Sequence, residues 1–380
     1  MKSIIEKHYL LEEEFFNNVI KKLTDDFKTN DKKIGLIIIA HVLIDAIPFL
    51  GALSSKFAIN VVFAKPKSVN QRIFDYLSAT YNLIIADREN INNISYLSQF
   101  VNPDQDGFIL IDIGGYFSKI SKELKDKFGD KFLGSIEDTE NGLLKYISNQ
   151  IDYPFYQVAR SPLKSNEDHL VGQAISFSAE SIFRQNGVLL NGQKMGVIGY
   201  GKIGCGVANG FKARQSIVLV HDIDPIKVTH AYSHGFIPND KDNLLNNSDI
   251  ICFATGSRCL LSSDFSKIKT GAYVFTVTSS DDELDVRWLK DNYSSKEISP
   301  IVTQYSKGEH YFYVLNNGNA INFIHGTTVG AFILLVQAEI IACAVALATR
   351  NSADNSYSIS SKVRQLIADE WLKLFTSKFN

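Results

Sequence analysis

The first half of the chain alternates short apolar runs with longer amphipathic stretches. The apolar runs predict buried strands at 34–40, 59–64, 82–86, 107–112 and 131–136. The segments between them carry apolar residues at helical spacing, as in "NQRIFDYLSATY". Strands that alternate with helices predict a parallel sheet covered on both faces. Ligands of such sheets bind beyond the carboxyl ends of the strands, so His41, Ile113 and Asp138 occupy favoured positions.

The second half repeats this pattern after a predicted helix at 169–186. Further strands are predicted at 194–199, 216–221, 249–256, 272–278 and 320–324. We therefore predict an α/β protein of two doubly wound domains, one inserted in the other. The predicted segments are a substrate-binding domain at 1–168, a Rossmann domain at 169–329, and C-terminal helices at 330–380 that pack back on the substrate domain.

The apolar stretch at 330–348 approaches the length of a membrane span. Gln337 and Glu339 interrupt its middle, where an unpartnered span would be penalised, so we predict a buried helix. We expect no membrane partner.

Composition excludes several classes of function. The 380 residues carry a net charge of -2 with scattered basic residues, so we expect no nucleic-acid partner and predict a small-molecule ligand. The N-terminal segment mixes acids and bases, unlike a signal peptide, and none of the four cysteines has a CxxC spacing. These features predict a cytoplasmic protein without a metal site.

A glycine motif, "GVIGYGKIGCG" at 196–206, links a predicted strand to a predicted helix. Gly199, Gly201 and Gly204 form GxGxxG, and the following strand ends at Asp222. The glycines would permit a tight turn, a close approach of the backbone to a pyrophosphate, and close helix–strand packing. Asp222 would bind the adenosine ribose and repel a 2′-phosphate, which favours NAD over NADP.

The predicted cofactor site includes other residues near this motif. They are Lys202, Ile203 and Thr255. The alternative is a glycine-rich turn that binds no ligand. Asp224, in "DIDP", is predicted to be a turn or cap residue.

Several segments together resemble the S-adenosylhomocysteine hydrolase family. They are "AHVLIDA", "IDIGG", "GSIEDTENG", "SPLKSNEDHLVG", "GQKMGVIGYGKIGCGVANG", "HDIDPIK" and "DELDVRWL", in colinear order over roughly residues 34 to 345. The resemblance implies tightly bound NAD that transiently oxidises the 3′-hydroxyl of an adenosine-type nucleoside. This oxidation would allow a C5′ thioether to be cleaved or formed. We expect a homo-oligomer, either a dimer or a tetramer.

The resemblance also implies catalytic roles. Lys164 and Asp168 match the lysine and aspartate of K-S-K-F-D-N, which assist transfer at the 3′ position. His41 matches the histidine of H-M-T, used in proton transfer around C4′ and C5′, and Asp138 replaces the second glutamate of E-E-T-T-T-G. The alternatives are a solvated i,i+4 Lys–Asp pair and a hydrogen-bonded core histidine.

Binding residues follow from the same matches. Asp45 lies where the family has the glutamate that meets adenine, and Asn322 matches an asparagine near the nicotinamide. His169 replaces an asparagine and Gln173 a cysteine in the segment after Asp168.

Other positions depart from the family pattern. Ile113 stands where D-D-G-G supplies a catalytic aspartate, and Leu43 replaces the threonine of H-M-T. Thr276 and Ser279 replace the asparagine and histidine of N-I-G-H-F, and His325 is a candidate for the family's late histidine.

These departures leave two alternatives to the hydrolase. The first is a catalytically silent, nucleotide-binding regulatory paralogue. The second is a D-2-hydroxyacid dehydrogenase using Arg258, which is disfavoured because no histidine lies at Ser279 or nearby.

Overall fold

A computed structural model describes residues 2–26, 32–277, 283–326, 329–349 and 357–376. The chain divides into two compact units. Unit 1 comprises Met1–Ser165 and Gly330–Asn380, and unit 2 comprises Asn166–Val329. The sequence predicts the domain boundary after Asp168. In the structure the chain divides after Ser165, inside the first turn of a helix.

The strands and helices are numbered in chain order. The strands are β1 (Ile34–Val42), β2 (Ala58–Val69), β3 (Leu83–Ile85), β4 (Gly107–Asp112), β5 (Phe132–Glu137), β6 (Phe155–Gln157), β7 (Lys194–Ile198), β8 (Ile217–His221), β9 (Ile237–Pro238), β10 (Ile250–Phe253), β11 (Tyr273–Thr276), β12 (Ser294–Ser299), β13 (Val302–Lys307) and β14 (His310–Leu315). The helices are α1 (Lys2–Asp26), α2 (Ala46–Ser54), α3 (Gln71–Ser78), α4 (Arg88–Ile91), α5 (Ile94–Ser98), α6 (Ser121–Phe128), α7 (Glu140–Ser148), α8 (Lys164–Gln185), α9 (Lys202–Ala213), α10 (Pro225–Ser233), α11 (Lys241–Asn247), α12 (Val286–Asn292), α13 (Ile333–Thr349) and α14 (Ser361–Phe375). Short 3-10 turns occupy Gly129–Lys131, Ser262–Lys267, Asn316–Gly318, Asn322–His325 and Gly330–Phe332.

The sheet of unit 1 is parallel, with strand order β3-β2-β1-β4-β5-β6. Along β1, Leu36 and Ile38 face one apolar cluster while Ile37 and Ile39 face the other. A strand buried on both faces has no polar side, which explains its continuous apolar sequence. The strand order reverses between β1 and β4, so the carboxyl ends of these strands form the edge where such sheets bind ligands.

The C-terminal helices belong to unit 1. Helix α13 contacts α1, α2, β4 and β5, and α14 contacts α1 and α13. Within the described residues, Gly330–Thr349 is long and apolar enough to cross a membrane, with 72% of its most apolar window buried. Its two polar interruptions have partners: Gln337 donates to Asp45, and Glu339 pairs with Arg364 on α14.

The sheet of unit 2 has the order β12-β13-β14-β11-β10-β7-β8-β9. It is parallel except for β12 and β13, which are antiparallel to their neighbours. Its order reverses between β7 and β10. The predicted α/β class is therefore confirmed, with a second doubly wound sheet.

Two parts of the secondary-structure prediction for unit 2 are wrong. Four strands were not predicted, namely β9, the antiparallel β12 and β13, and β14. The predicted strand at 320–324 is mostly a 3-10 turn, Asn322–His325, and only Ala320 bridges to Thr276. A short apolar run marks burial, and Ile321 is fully buried, but the run does not distinguish a strand from a buried turn.

Candidate functional site

The turn from β7 to α9 has the geometry of a dinucleotide cradle. Gly199 has a φ of +97°, and a Cβ on Gly204 would lie 1.9 Å from the Gly199 carbonyl oxygen. At Gly201, by contrast, a Cβ would meet no atom of the described residues within 4 Å. Gly201 is the N-cap of α9, so open space lies against the first backbone N–H groups of a helix. Such groups bind anionic phosphates.

Asp222 lies just beyond the end of β8, beside this turn. Its carboxylate accepts hydrogen bonds from the Tyr200 N–H at 2.7 Å and the Asp224 N–H at 2.9 Å. Asp224 caps α10 by accepting from the Ile226 N–H, in keeping with its predicted role. Two backbone donors thus fix the Asp222 carboxylate, which has further lone pairs to accept ribose hydroxyls.

Asn322 supplies an independent indication of a ligand site. Its side chain is 3% exposed, yet its Oδ1 has no hydrogen-bond partner among the described residues. A buried amide oxygen without a donor is costly, and a ligand carboxamide could supply the donor. Together with the open cradle at Gly201, this orphaned oxygen fits a nicotinamide dinucleotide.

Thr255 follows β10, on the other side of the strand-order reversal. Its N–H and hydroxyl both donate to the buried carboxylate of Glu283, at 2.5 and 3.1 Å. Glu283 also accepts from the Gly256 N–H. Thr255 is therefore positioned by an acid that the sequence prediction did not include.

Helices α8 and α9 approach each other through glycines. A Cβ on Gly172 would lie 2.6 Å from the Gly206 Cα. Next to this crossing, Lys202 Nζ pairs with Asp168 Oδ2 at 3.2 Å. Two predicted site residues, one catalytic and one cofactor-binding, are thus brought together.

Other predicted residues of α8 and α9 have less specific surroundings. His169 is exposed and its Nε2 contacts the Gln173 amide at 3.1 Å. Ile203 packs against the apolar core of unit 2.

In unit 1, the segment after β4 is held by Asp112. This fully buried carboxylate accepts from the Tyr116 and Phe117 N–H groups and from the Tyr146 hydroxyl, at 2.8 to 3.0 Å. Burial nevertheless raises its pKa.

A second buried carboxylate, Glu137 at the end of β5, holds the same segment from the other side. It accepts from the N–H groups of Gly114, Gly115 and Thr139 at 2.7 to 3.0 Å. Burial, together with the charge of Asp112, raises the pKa of Glu137 to about 8. The two carboxylates therefore shape the glycine turn at the edge of the sheet.

The predicted residues Asp138 and Lys164 form an ion pair at this edge. Lys164 Nζ lies 3.1 Å from Asp138 Oδ1, and the side chains are 9% exposed for Lys164 and 13% for Asp138. Lys164 is the first residue of α8, and Asp168 lies one turn later. The alternative of a solvated pair between Lys164 and Asp168 is therefore wrong, because both of these residues are buried.

His41 lies near the end of β1, beside two side chains of β2. Its Nδ1 is hydrogen-bonded to the Ser68 hydroxyl, which is itself buried. Burial, together with the positive charges of Lys65 and Lys164, holds the pKa of His41 well below its usual value. Burial also lowers the pKa of Lys65 to about 8, against the opposing effect of Glu137 and Asp112.

The predicted adenine-binding residue, Asp45, belongs to a different cluster of unit 1. Its carboxylate accepts from Gln337 Nε2 at 2.8 Å, while Gln337 Oε1 has no partner among the described residues. Burial raises the pKa of Asp45. Burial, together with the charge of Asp45, raises the pKa of Glu12 on α1 to about 7.

Besides Glu283, the sequence prediction missed Lys65, Ser68, Asp112, Glu137 and Glu12. Lys65 directly follows the predicted strand 59–64, so the same strand-end rule that selected His41 could have found it. Nothing in the local pattern marks Glu12, which lies on an amphipathic helix.

The positions that depart from the family pattern have the following surroundings. Ile113 is 9% exposed and packs in an apolar cluster, Leu43 is half-buried, Thr276 donates to the Gly318 carbonyl, and His325 contacts the Ser178 hydroxyl. Ser279 lies outside the described residues. Arg258, the residue of the dehydrogenase alternative, pairs with Asp285 at 3.1 Å.

Comparisons with known proteins show which family the chain resembles. Residues 174–328 match the family described as S-adenosyl-L-homocysteine hydrolase, NAD binding domain. Adenosylhomocysteinase from Acinetobacter baylyi is 27% identical over 269 residues, which cover 65% of this chain and 55% of that protein. This chain is therefore similar to adenosylhomocysteinase, and residues 174–328 match the NAD-binding domain of that family. This chain spans about half of the length of that relative.

The family match also identifies the cofactor. The matched part of unit 2 is an NAD-binding domain, and it contains every residue that we predicted to bind the cofactor. NAD is therefore the cofactor that the residues at Gly201, Asp222 and Asn322 fit.

Solved structures with similar folds are more distant than the adenosylhomocysteinase relative. A dipicolinate synthase chain from Bacillus halodurans is 11% identical with a TM-score of 0.43, covering 83% of this chain and 98% of that one. A protein assigned as a D-3-phosphoglycerate dehydrogenase from Ralstonia solanacearum is 14% identical with a TM-score of 0.45, covering 82% and 94%. The fold assignment rests on the strand orders given above.

Proposed function

We propose that this protein is an adenosylhomocysteinase-like enzyme that oxidises the 3′-hydroxyl of an adenosine-type nucleoside. In this proposal the transient oxidation allows a C5′ thioether to be cleaved or formed. The observation that carries the proposal is the buried Lys164–Asp138 pair at the carboxyl edge of the unit 1 sheet. It stands in a chain whose second unit is an NAD-binding domain.

NAD, when bound, supplies a hydride acceptor that returns the hydride at the end of the cycle. Lys164 binds the 3′-hydroxyl, and the hydroxyl proton passes to its Nζ as Nζ gives a proton to the Asp138 carboxylate, which already accepts a hydrogen bond from it. Asp168 in turn accepts a hydrogen bond from a ribose hydroxyl, held in place by Lys202.

His41 moves a proton at the neighbouring carbon. A 3′-ketone acidifies the C4′ hydrogen, so a neutral imidazole can remove it. The low pKa of His41 keeps the ring neutral at ordinary pH.

The test is addition of adenosine or S-adenosylhomocysteine to NAD-loaded protein. We expect the absorbance of reduced nicotinamide to appear, and thiol to be released from S-adenosylhomocysteine. Lys164→Met should abolish the absorbance change while leaving the NAD content unchanged.

The matched control is Lys122→Met, which removes an exposed lysine paired with Asp152. This variant should behave as the wild type. If NAD-loaded wild-type protein shows no reduction with any nucleoside, the proposal is refuted.

One observation favours a second candidate, the catalytically silent nucleotide-binding paralogue. Ile113 is buried in an apolar cluster where the family supplies an acid, and an isoleucine moves no proton. This candidate predicts that nucleoside binds, by calorimetry, without reduction of NAD or release of thiol. Turnover gained by Ile113→Asp would then indicate an activity that this chain has lost.

A further inference from the structure

The pairing of β1 with β2 is interrupted beside His41. Ala40 pairs with Ala64, but Val42 pairs with Val69. One residue of β1, His41, therefore opposes four residues of β2, at positions 65–68. Irregularities of this kind re-aim side chains and are common next to active sites.

Ser68, from this bulge, constrains the imidazole of His41. The residue is 3% exposed, and its hydroxyl contacts His41 Nδ1 and donates to the Lys65 carbonyl oxygen at 3.4 Å. A hydroxyl has a single proton to donate. If that proton points to the Lys65 carbonyl, the Ser68 oxygen accepts from Nδ1–H, and the lone pair of the neutral ring lies on Nε2.

Lys65, from the same bulge, brings a positive charge to this edge of the sheet. The residue is 6% exposed, and its Nζ lies 3.5 Å from the position that a Cβ on Gly114 would occupy. The ammonium is thus located over the turn that follows Ile113.

The charged groups around His41 come from several elements. Those acting on His41 itself are Lys65 from β2 and Lys164 from α8. Those facing Lys65 are Asp112 from β4, Glu137 and Asp138 from β5 and the turn after it, and Arg88 from α4. The charges that act directly on the imidazole are positive, which disfavours an imidazolium.

We propose that Ser68 and Lys65 are positioning residues that hold His41 as a neutral base with its lone pair on Nε2. Ser68 sets the tautomer, and the charge of Lys65 adds to the effect of burial in keeping the ring unprotonated. The pair acts at the edge where Ile113 offers no acid.

The catalytic use of this base rests on the proposed function above. There, the C4′–H bond of the oxidised nucleoside breaks and its proton binds Nε2. The electron pair stays on the sugar as the enolate of the 3′-ketone, and the reverse transfer restores the C–H bond. The state of the ring itself does not depend on the proposed function.

The test is nitrogen NMR of the full-length protein with labelled histidine, without substrate. The chain has 8 histidines, and loss of one signal set in His41→Gln assigns His41. We expect a protonated Nδ1, an unprotonated Nε2, and no titration near the usual histidine pKa.

Four variants separate the roles of the two residues. Ser68→Ala should give a mixture of tautomers, and Ser68→Thr should restore the single one. Lys65→Met should raise the titration midpoint of His41 by about 1 to 3 pH units, the usual range for one nearby charge, whereas Lys65→Arg should not. The control is Lys67→Met, which removes an exposed lysine of the same bulge and should change neither property.

A wild-type spectrum with the proton on Nε2 would overturn the Ser68 assignment, even if the variants fail to fold. An unchanged midpoint in folded Lys65→Met would overturn the Lys65 assignment. If the spectra are as expected but no nucleoside reduces bound NAD, the proposed function fails and the positioning proposal stands. If nucleoside reduces bound NAD but the proton lies on Nε2, the positioning proposal fails and the proposed function stands.

Discussion

The glycine turn of unit 2 allows fold and cofactor binding to be perturbed separately. In Gly204→Ala the new Cβ would lie 1.9 Å from the Gly199 carbonyl oxygen and 3.4 Å from the Ala254 Cβ. The nearest obstacle is backbone, which cannot rotate away as a side chain can. In Gly201→Ala the new Cβ would meet no described atom within 4 Å, and the φ of -74° suits alanine.

The two variants should therefore differ in stability. Overpacking typically costs about 1 to 3 kcal/mol, and a contact this short with backbone belongs at the upper end, about 3 kcal/mol. At roughly 2 to 4 °C per kcal/mol for a domain of this size, Gly204→Ala should lower Tm by about 6 to 12 °C. Gly201→Ala should leave Tm within about 2 °C, or raise it slightly because alanine restricts the unfolded chain.

The loss of NAD binding, unlike the loss of stability, should be larger in Gly201→Ala than in Gly204→Ala. NAD at about 100 times its Kd stabilises a protein by about 2.7 kcal/mol, which the same conversion turns into a rise in Tm of about 5 to 11 °C. Gly201→Ala should lose most of this rise, because its methyl group occupies the space that a pyrophosphate needs.

Thermal melts with and without NAD, together with calorimetric titration, measure both quantities. The reasoning is refuted if Gly201→Ala binds NAD with the affinity of the wild type, or if Gly204→Ala has the Tm of the wild type.

Three further predictions concern buried polar groups. Asn322→Leu replaces a side chain that has an unpaired amide oxygen by an apolar one of similar size, so the NAD-free protein should keep or gain stability. Its affinity for NAD, measured by calorimetry, should fall about tenfold or more. A large loss of stability would show that Oδ1 has a partner in the fold. Glu12 has a folded pKa raised to about 7, so the unfolded chain releases this proton first, and the free energy of unfolding should fall by at most about 1.4 kcal/mol per pH unit as pH rises from about 4.5 to 7. Denaturant titrations at several pH values should show a weaker dependence of this free energy on pH for Glu12→Gln, and an identical dependence would exclude this role. Arg364→Leu leaves the fully buried Glu339 without its cation and should lower the free energy of unfolding by about 3 to 5 kcal/mol. The control, Arg160→Leu, removes an exposed ion pair with Glu140 and should lower it by less than about 1 kcal/mol. Equal losses would contradict the role of burial.

The sequence predicts the central strands well because both of their faces are buried. The run at 34–40 has no polar alternation, and it forms β1. By contrast, β12 is almost entirely exposed, so no apolar signal marks it. It joins the sheet through backbone hydrogen bonds that hydrophobicity does not report.

The same reasoning applies to the candidate site. Asp138 and His41 were found because they follow apolar runs, and the glycine motif because its spacing has a fixed geometric purpose. Ser68 reaches His41 only through an irregular register, which no periodic pattern predicts. The roles of Asp112 and Glu137 depend on backbone N–H groups, which every residue but proline carries.

The insertion of unit 2 has a consequence for synthesis on the ribosome. Helix α13, which contacts β4 and β5, is translated only after all of unit 2. Until then the nascent β-strands of unit 1 expose an apolar face that the C-terminal helices later cover. Unit 2 is contiguous, so we expect it to complete its own core while unit 1 still lacks its C-terminal helices.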